Sequence, residues 1–168
     1  MSEINRNTLT FIALANEYCS LIERTLDFEK EDYAAKMLKI LPRIYMSITD
    51  FNITETVEDY YISPFLEEDV YDIVREKISR LMGDDDAYLE VFVEDMKYSD
   101  SPITAFISEN LADLYQELYN FVASARDVPH EAITALLIEC KENFANYWGQ
   151  TLCNVVRALH TAFYNHLN

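Results

Sequence analysis

The chain has 168 residues, 50% of them hydrophobic and 13% aromatic, with Gly 2 and Pro 4. That length fits one domain spanning 1–168 with an ample core. The composition argues against disorder, and the scarcity of turn formers argues against an all-β fold of many short strands. A formal charge of −17 and a pI of about 4.3 repel phosphate backbones and anionic head groups, so the expectation is no nucleic acid and no membrane as partner.

Basic proteins, polyamines and divalent cations remain electrostatically open, beside the plainer reading that acidic residues keep the chain soluble. Cys19, Cys140 and Cys153 form no CxxC pair and read as reduced, buried thiols of a cytoplasmic protein. The first residues lack a basic segment and Leu9 to Ala15 runs into Glu17, unlike a signal peptide. No apolar run approaches the length of a membrane span.

In chain order, Asn7 or Thr8 caps a first helix with Leu9, Ile12, Ala15, Cys19, Ile22 and Leu26 on its apolar face, ending near Asp27. A second starts among Glu29 to Asp32 and continues through Tyr33, Met37, Leu38, Leu41, Ile44 and Ile48. Pro42 should kink it or split it at Leu41. Lys36, Lys39 and Arg43 make the one basic stripe, and Asp50 to Phe65 reads as a connection. Glu67 to Met82 is a third helix with Val70, Ile73, Val74, Ile78 and Leu81 apolar, stopped by Gly83.

The segment near 84–103 mixes acids, aromatics and β-branched residues, and reads as irregular chain with room for one short strand. Ser108 opens the next helix, which buries Leu111, Leu114, Tyr115, Leu118, Phe121 and Val122 and ends around Asp127 to Pro129. From Pro129 to Leu167 apolar residues step by three and four through Ile133, Leu137, Cys140, Phe144, Tyr147, Thr151, Val155, Ala158, Ala162 and His166. A second stripe, Leu152, Val156, Leu159 and Phe163, lies beside the first; Asn146, Gln150, Asn154, Arg157 and Thr161 form a narrow polar strip. So wide an apolar arc must be covered on more than one side. The expected fold is all-α: an antiparallel bundle of five or six helices with a long C-terminal central helix.

Several constellations bear on chemistry. Glu109, Asp113 and Glu117 share one helix face at i, i+4 and i+8, and the buried leucines turn that face outward. A di-iron bundle needs Glu-x-x-His pairs, which are absent. His160 and His166 are about 240° apart around a helix, the wrong spacing for one ligand, and His130 completes no zinc-protease motif. Asp84, Asp85, Asp86 and Glu90 lack the alternation and glycine of a calcium loop. Gly149 inside the long helix implies close helix approach or room beside Trp148. Trp148 reads as core, with an aromatic pocket of Tyr45, Tyr147 and Trp148 as the sharper alternative. Arg157 is expected to pair with Asp113 or Glu117.

Charge is the most informative map. Fourteen acids against Arg75, Lys77 and Arg80 between Glu55 and Asp95 give that quarter −11 of the −17. A negative face with Glu67, Glu68, Asp69, Asp84, Asp85, Asp86, Glu94 and Asp95 follows. It would dock a basic protein, imitate a nucleic acid, or lie over Lys36, Lys39 and Arg43.

Tyr88-Leu89-Glu90-Val91-Phe92, Asp100-Ser101-Pro102-Ile103, the run from Ser108 to Leu118, Tyr147-Trp148-Gly149 and Arg157-Ala158-Leu159-His160 occur in an order that resembles the bacterial family named domain of unknown function 5063. Leu38 to Tyr45, around Leu41-Pro42-Arg43-Ile44-Tyr45, looks like that family's earlier helix. Tyr147 and Gln150 stand where histidines would be expected beside Trp148-Gly149, which weakens a metal site there. The resemblance implies a small helical bacterial protein of a family without assigned activity.

The leading functional expectation is a non-catalytic acidic module that binds a basic protein partner, with no cofactor and no catalytic residues. The alternatives are a helical-bundle enzyme or sensor with a small-molecule or metal site, and a nucleic-acid mimic. For the enzyme or sensor, Tyr45, Glu109, Asp113, Glu117, Tyr147, Trp148, Arg157 and His160 are the candidate polar or pocket residues.

Overall fold

A computed structural model describes residues 5–51, 59–90 and 103–165. It contains α1 (Arg6–Glu23), α2 (Lys30–Thr49), α3 (Glu68–Met82), α4 (Ile107–Asp127), α5 (Ile133–Asn143) and α6 (Gly149–Asn165), with a π-helical turn, Phe144–Trp148, joining the last two. Counting that C-terminal rod as one element gives five helices, as one hydrophobic cluster running from Phe11 to Ala162 requires of a bundle. The rod's α6 lies against α2 and α4, while α4 also packs on α1, α3 and α5. No described helix is long and apolar enough to cross a membrane.

Local chemistry explains most boundaries. Asn5, two or three residues before the expected cap at Asn7 or Thr8, accepts the Thr8 N–H at 2.9 Å and opens α1. The buried face of α1 is rotated from the expected one. Phe11 and Tyr18 point inward while Leu9 and Leu26 are exposed, because the two aromatic rings carry more apolar area than the leucines. Tyr18 completes its burial by donating to the Leu111 carbonyl at 2.7 Å. Helix α2 runs unbroken through Pro42, which lies on its solvent side, so the expected split does not occur. Gly83 ends α3 at φ +56°, a conformation glycine adopts without penalty. Val74 and Ile78 are buried as expected, but Val70 and Ile73 face solvent, and Met82 and the half-buried Tyr71 turn inward in their place.

Of the segment near 84–103, residues 91–102 lie outside the described residues, and the chain on either side of them is regular. Ala87–Glu90 (β1) and Ile103–Phe106 (β2) pair antiparallel, with Ala87 opposite Phe106 and Glu90 opposite Ile103. Before α3, residues 59–67 lie across α4 and α5. Three of their backbone N–H groups find side-chain acceptors: Ile62 on Glu139 at 2.6 Å, Ser63 on Ser124 at 2.8 Å and Leu66 on Asn120 at 2.8 Å. That accounts for two buried polar side chains on α4, since an unpaired buried amide would cost about as much as a lost hydrogen bond.

In the rod, burial steps through Cys140, Phe144, Trp148 and Leu152 by fours, not through Tyr147 and Thr151 as the sequence pattern implied. The π-turn supplies the extra residue. Gly149 donates its N–H to the Phe144 carbonyl, five residues back. A Cβ on Gly149 would lie 2.6 Å from that oxygen and 3.0 Å from the Phe144 ring, so this position has room only for hydrogen.

Candidate functional site

The π-turn decides where the two neighbouring aromatics go. Trp148 enters the core, its Nε1 donating to the Cys140 carbonyl at 3.3 Å and its ring meeting Phe144 edge-on at 4.8 Å. Phe144 in turn meets Tyr45 at 5.0 Å. Tyr147, about a hundred degrees further round the helix, turns away toward α4. The expected pocket of Tyr45, Tyr147 and Trp148 therefore does not assemble: Phe144 stands between Tyr45 and Trp148, and Tyr147 belongs to another cluster.

That cluster forms on α4. The Tyr71 hydroxyl from α3 donates to Asp113 Oδ1 at 2.5 Å, and the Tyr147 hydroxyl lies near the same carboxylate. One carboxylate thus ties together α3, α4 and the π-turn. Glu109 sits exposed one turn before it and Glu117 half-buried one turn after. The face is not simply solvated, as the leucine pattern suggested, because Tyr71 and Tyr147 close over its middle. Burial raises the Asp113 pKa above the usual carboxylate range, against the hydrogen bond from Tyr71 and the nearby Tyr147 hydroxyl, and Glu109 raises it further. Burial likewise raises Glu117, followed by the charges of Asp113 and Glu139. Tyr147 is pushed up to about 12 by burial and then by Asp113 and Glu117. Among the described residues, no three His, Cys, Asp or Glu side chains come together as a group that could hold a metal ion.

Arg157 does not join Asp113 or Glu117. It lies exposed near Tyr88, whose pKa burial and Glu90 raise and Arg157 lowers, and it belongs to none of the ion pairs among the described residues. Arg157→Ala should therefore leave the melting temperature within the roughly 0.5 kcal/mol band of an ordinary surface substitution. A clear drop in a thermal scan would restore the pairing. His160 is exposed with its ring against Tyr164 at 4.5 Å.

The expected acidic face is divided by local duties. Glu67, Glu68 and Asp69 are exposed at the start of α3, where negative charge suits the helix dipole. Asp84 is exposed, but Asp85 pairs with Lys30 Nζ at 2.8 Å. Asp86 is buried: its two carboxylate oxygens accept the Ser108 N–H and hydroxyl, each at 2.7 Å, capping α4 from across a chain gap. It is therefore a structural residue and not part of an interaction face. Glu94 and Asp95 lie outside the described residues. Within the described part, Lys30 is the cation this quarter reaches; Lys39 and Arg43 stay exposed, and Lys36 lies 5.7 Å from the centre of the Phe28 ring.

Several polar residues of the region were not anticipated. Tyr71 and Tyr88 both bind α4 side chains, Tyr88 donating to Asn110 at 2.5 Å. Asn154, expected on an open polar strip, is buried and donates to Glu90 Oε1 at 2.9 Å. Of the cysteines, Cys19 and Cys140 are buried as expected, burial pushing the Cys19 thiol up to about 12, but Cys153 is exposed.

These features define a helical bundle with a π-interrupted C-terminal rod, a short hairpin beside it and an acid–tyrosine cluster on its middle helix. The chain belongs to the family described as domain of unknown function DUF5063, which matches residues 2–165. Its fold is similar to that of the crystal structure of protein BF1032 from Bacteroides fragilis, at 28% identity and a TM-score of 0.80, covering 94% of this chain and 92% of that one. No functionally curated protein matches it.

Proposed function

We propose that the protein is a non-catalytic interaction module of the cytoplasm that receives cationic side chains of a basic protein partner on the acid–tyrosine face of α4. One observation carries this reading. Asp113 and Glu117 are held half-buried, and burial and neighbouring carboxylates raise both, the tyrosine hydroxyls offsetting only part of this at Asp113. Charges kept at such a cost to the free protein are relieved when a partner supplies the counter-charge. The half-exposed Tyr147 ring beside them suits a guanidinium or ammonium face. Free thiols at Cys19 and Cys140 support a reducing compartment.

The linkage sign follows from the raised values. A carboxylate with a folded pKa above its unfolded one contributes stability below the unfolded pKa and loses it as pH rises through the folded pKa. Glu117→Gln should therefore raise the melting temperature at pH 7, with the gain shrinking as pH falls through the carboxylate range. A thermal scan at several pH values checks this, and a variant destabilised at pH 7 contradicts it.

Binding is tested by affinity capture from the host with two baits, wild type and Asp113→Asn/Glu117→Gln. A basic protein should be retained by the wild type, released by salt and absent from the variant. Identical retention on both baits, or retention indifferent to salt, overturns the reading.

A further inference from the structure

A second surface lies between β1 and α6, away from the acid–tyrosine cluster. Its basis is the hydrogen-bond parity of the hairpin. Ile107 donates its N–H to the Asp86 carbonyl at 2.8 Å, and the register sets Ala87 opposite Phe106 and Leu89 opposite Thr104. In an antiparallel ladder the bonded and non-bonded pairs alternate. Asp86 with Ile107 is a bonded pair, so Tyr88 with Ala105 and Glu90 with Ile103 are the next two. The N–H and C=O groups of Ala87 and Leu89 consequently point away from β2. Neither residue hydrogen-bonds another described residue at that edge. A strand edge that the described residues leave uncovered is a template for a further strand.

The space beside that edge has the shape such a strand needs. Ala87, Tyr88 and Leu89 form one wall of an open groove of about 330 Å³, and α6 forms the other from Arg157 to Asn165. Glu90 touches Asn154 at one end of β1, and Asp84 shares the groove with Asn165 beyond the other, so β1 and α6 run alongside in opposite directions. Nine helical residues span about 12 Å between first and last, room for three or four residues of extended chain at about 3.3 Å each. The helix wall is low, because Ala158, Thr161 and Ala162 present small side chains to the groove. Arg157 stands on the same wall, exposed and in no ion pair among the described residues.

We propose that this groove binds an extended peptide segment of a partner protein, which adds to β1 as a third strand and sets an acidic side chain on Arg157. The outward amide groups of Ala87 and Leu89 recognise backbone, the small side chains of α6 admit it, and the guanidinium selects a carboxylate at one position. Asp84 at the far end disfavours a second acid there, so the preferred segment carries its acid at the Arg157 end only. The exposed Leu89 side chain (59%) becomes a contact for the neighbouring residue of the added strand.

The test is selection from a random twelve-residue phage-displayed library on the intact protein, followed by fluorescence anisotropy of the synthesised winner. The expected winner has an alternating pattern with Asp or Glu, and loses at least tenfold in affinity on Arg157→Glu and on Thr161→Trp. Both positions are at the surface, so melting temperatures should match wild type. Amide exchange at Ala87 and Leu89 should slow in the complex. Affinity should be unchanged in Asp113→Asn/Glu117→Gln, which separates this groove from the α4 face. A selection without binders, winners that hold both groove variants as tightly as wild type, or unchanged exchange at Ala87 and Leu89 overturns the proposal.

Discussion

Gly149→Ala is expected to lower the melting temperature, although alanine ordinarily strengthens a helix interior by about 1 kcal/mol over glycine. The reversal comes from the π-turn. The added methyl would sit 2.6 Å from the Phe144 carbonyl oxygen, the same oxygen that Gly149 bonds through its own N–H. It would also sit 3.0 and 3.1 Å from two carbons of the Phe144 ring, which is in edge contact with Tyr45 and with Trp148. Moving either atom set disturbs the core, and overpacking of this kind costs roughly 1–3 kcal/mol. Set against the propensity gain of about 1 kcal/mol, the net loss reaches about 2 kcal/mol, or several degrees for a chain of this size. The change should reach the α4 cluster too, since any relaxation of the turn rotates Tyr147 away from Asp113. Tyrosine titration followed by absorbance would then show one raised hydroxyl, that of Tyr147, moving down from about 12. A melting temperature equal to or above wild type would mean that the turn has an α-helical alternative of equal energy.

Helix existence was legible along this chain because Leu, Ile and Phe recur by three and four over long stretches, and the glycine and proline that could interrupt them are few. What failed to transfer was phase. The step from Phe144 to Trp148, where the pattern pointed to Tyr147, depends on a backbone hydrogen bond reaching one residue further, which no side-chain period records. Gly149 was the local sign of it, and close approach was anticipated there, though the approach is to the helix's own previous turn. Phe11 and Tyr18 displaced Leu9 from the core for a different reason: in an amphipathic helix with apolar residues on two faces, the larger rings win the burial. Polar partners were the least legible. Asn120 and Ser124 look misplaced on the apolar side of α4 until residues 59–67 bring two amides onto them. Asp113 likewise reads as one of three outward acids until Tyr71, forty-two positions away, closes on it. Arg157 shows the converse: its charge suggested a partner on α4, and the fold sets it beside β1 instead.

Asp86→Ala should be among the most damaging single changes to an acidic residue in the protein. A chain with a net charge of −17 gains slightly when an exposed acid is removed, so Asp84→Ala should be neutral or mildly stabilising. Asp86 differs because it is buried and both of its carboxylate oxygens are used, one by the Ser108 N–H and one by the Ser108 hydroxyl. Helix α4 has no side-chain cap from the residue that precedes it, Phe106, so Asp86 does that work from the far end of the hairpin. Hydrogen bonds to a charged group contribute roughly 1.5–3 kcal/mol each, and a buried donor left unsatisfied loses the larger part of that. Alanine should cost about 3–4 kcal/mol, a fall on the order of 10 °C. Asp86→Asn should cost less than half as much, since its carbonyl still accepts the Ser108 N–H and its amide can donate to the hydroxyl. The backbone bond from Ile107 to the Asp86 carbonyl survives in both variants, so the hairpin should stay joined to α4 while the helix start frays. Hydrogen exchange at Ser108 separates the two effects: it should accelerate in the alanine variant well beyond the rate that global destabilisation accounts for. Equal losses for alanine and asparagine would show that charge, and not acceptor geometry, holds the helix start.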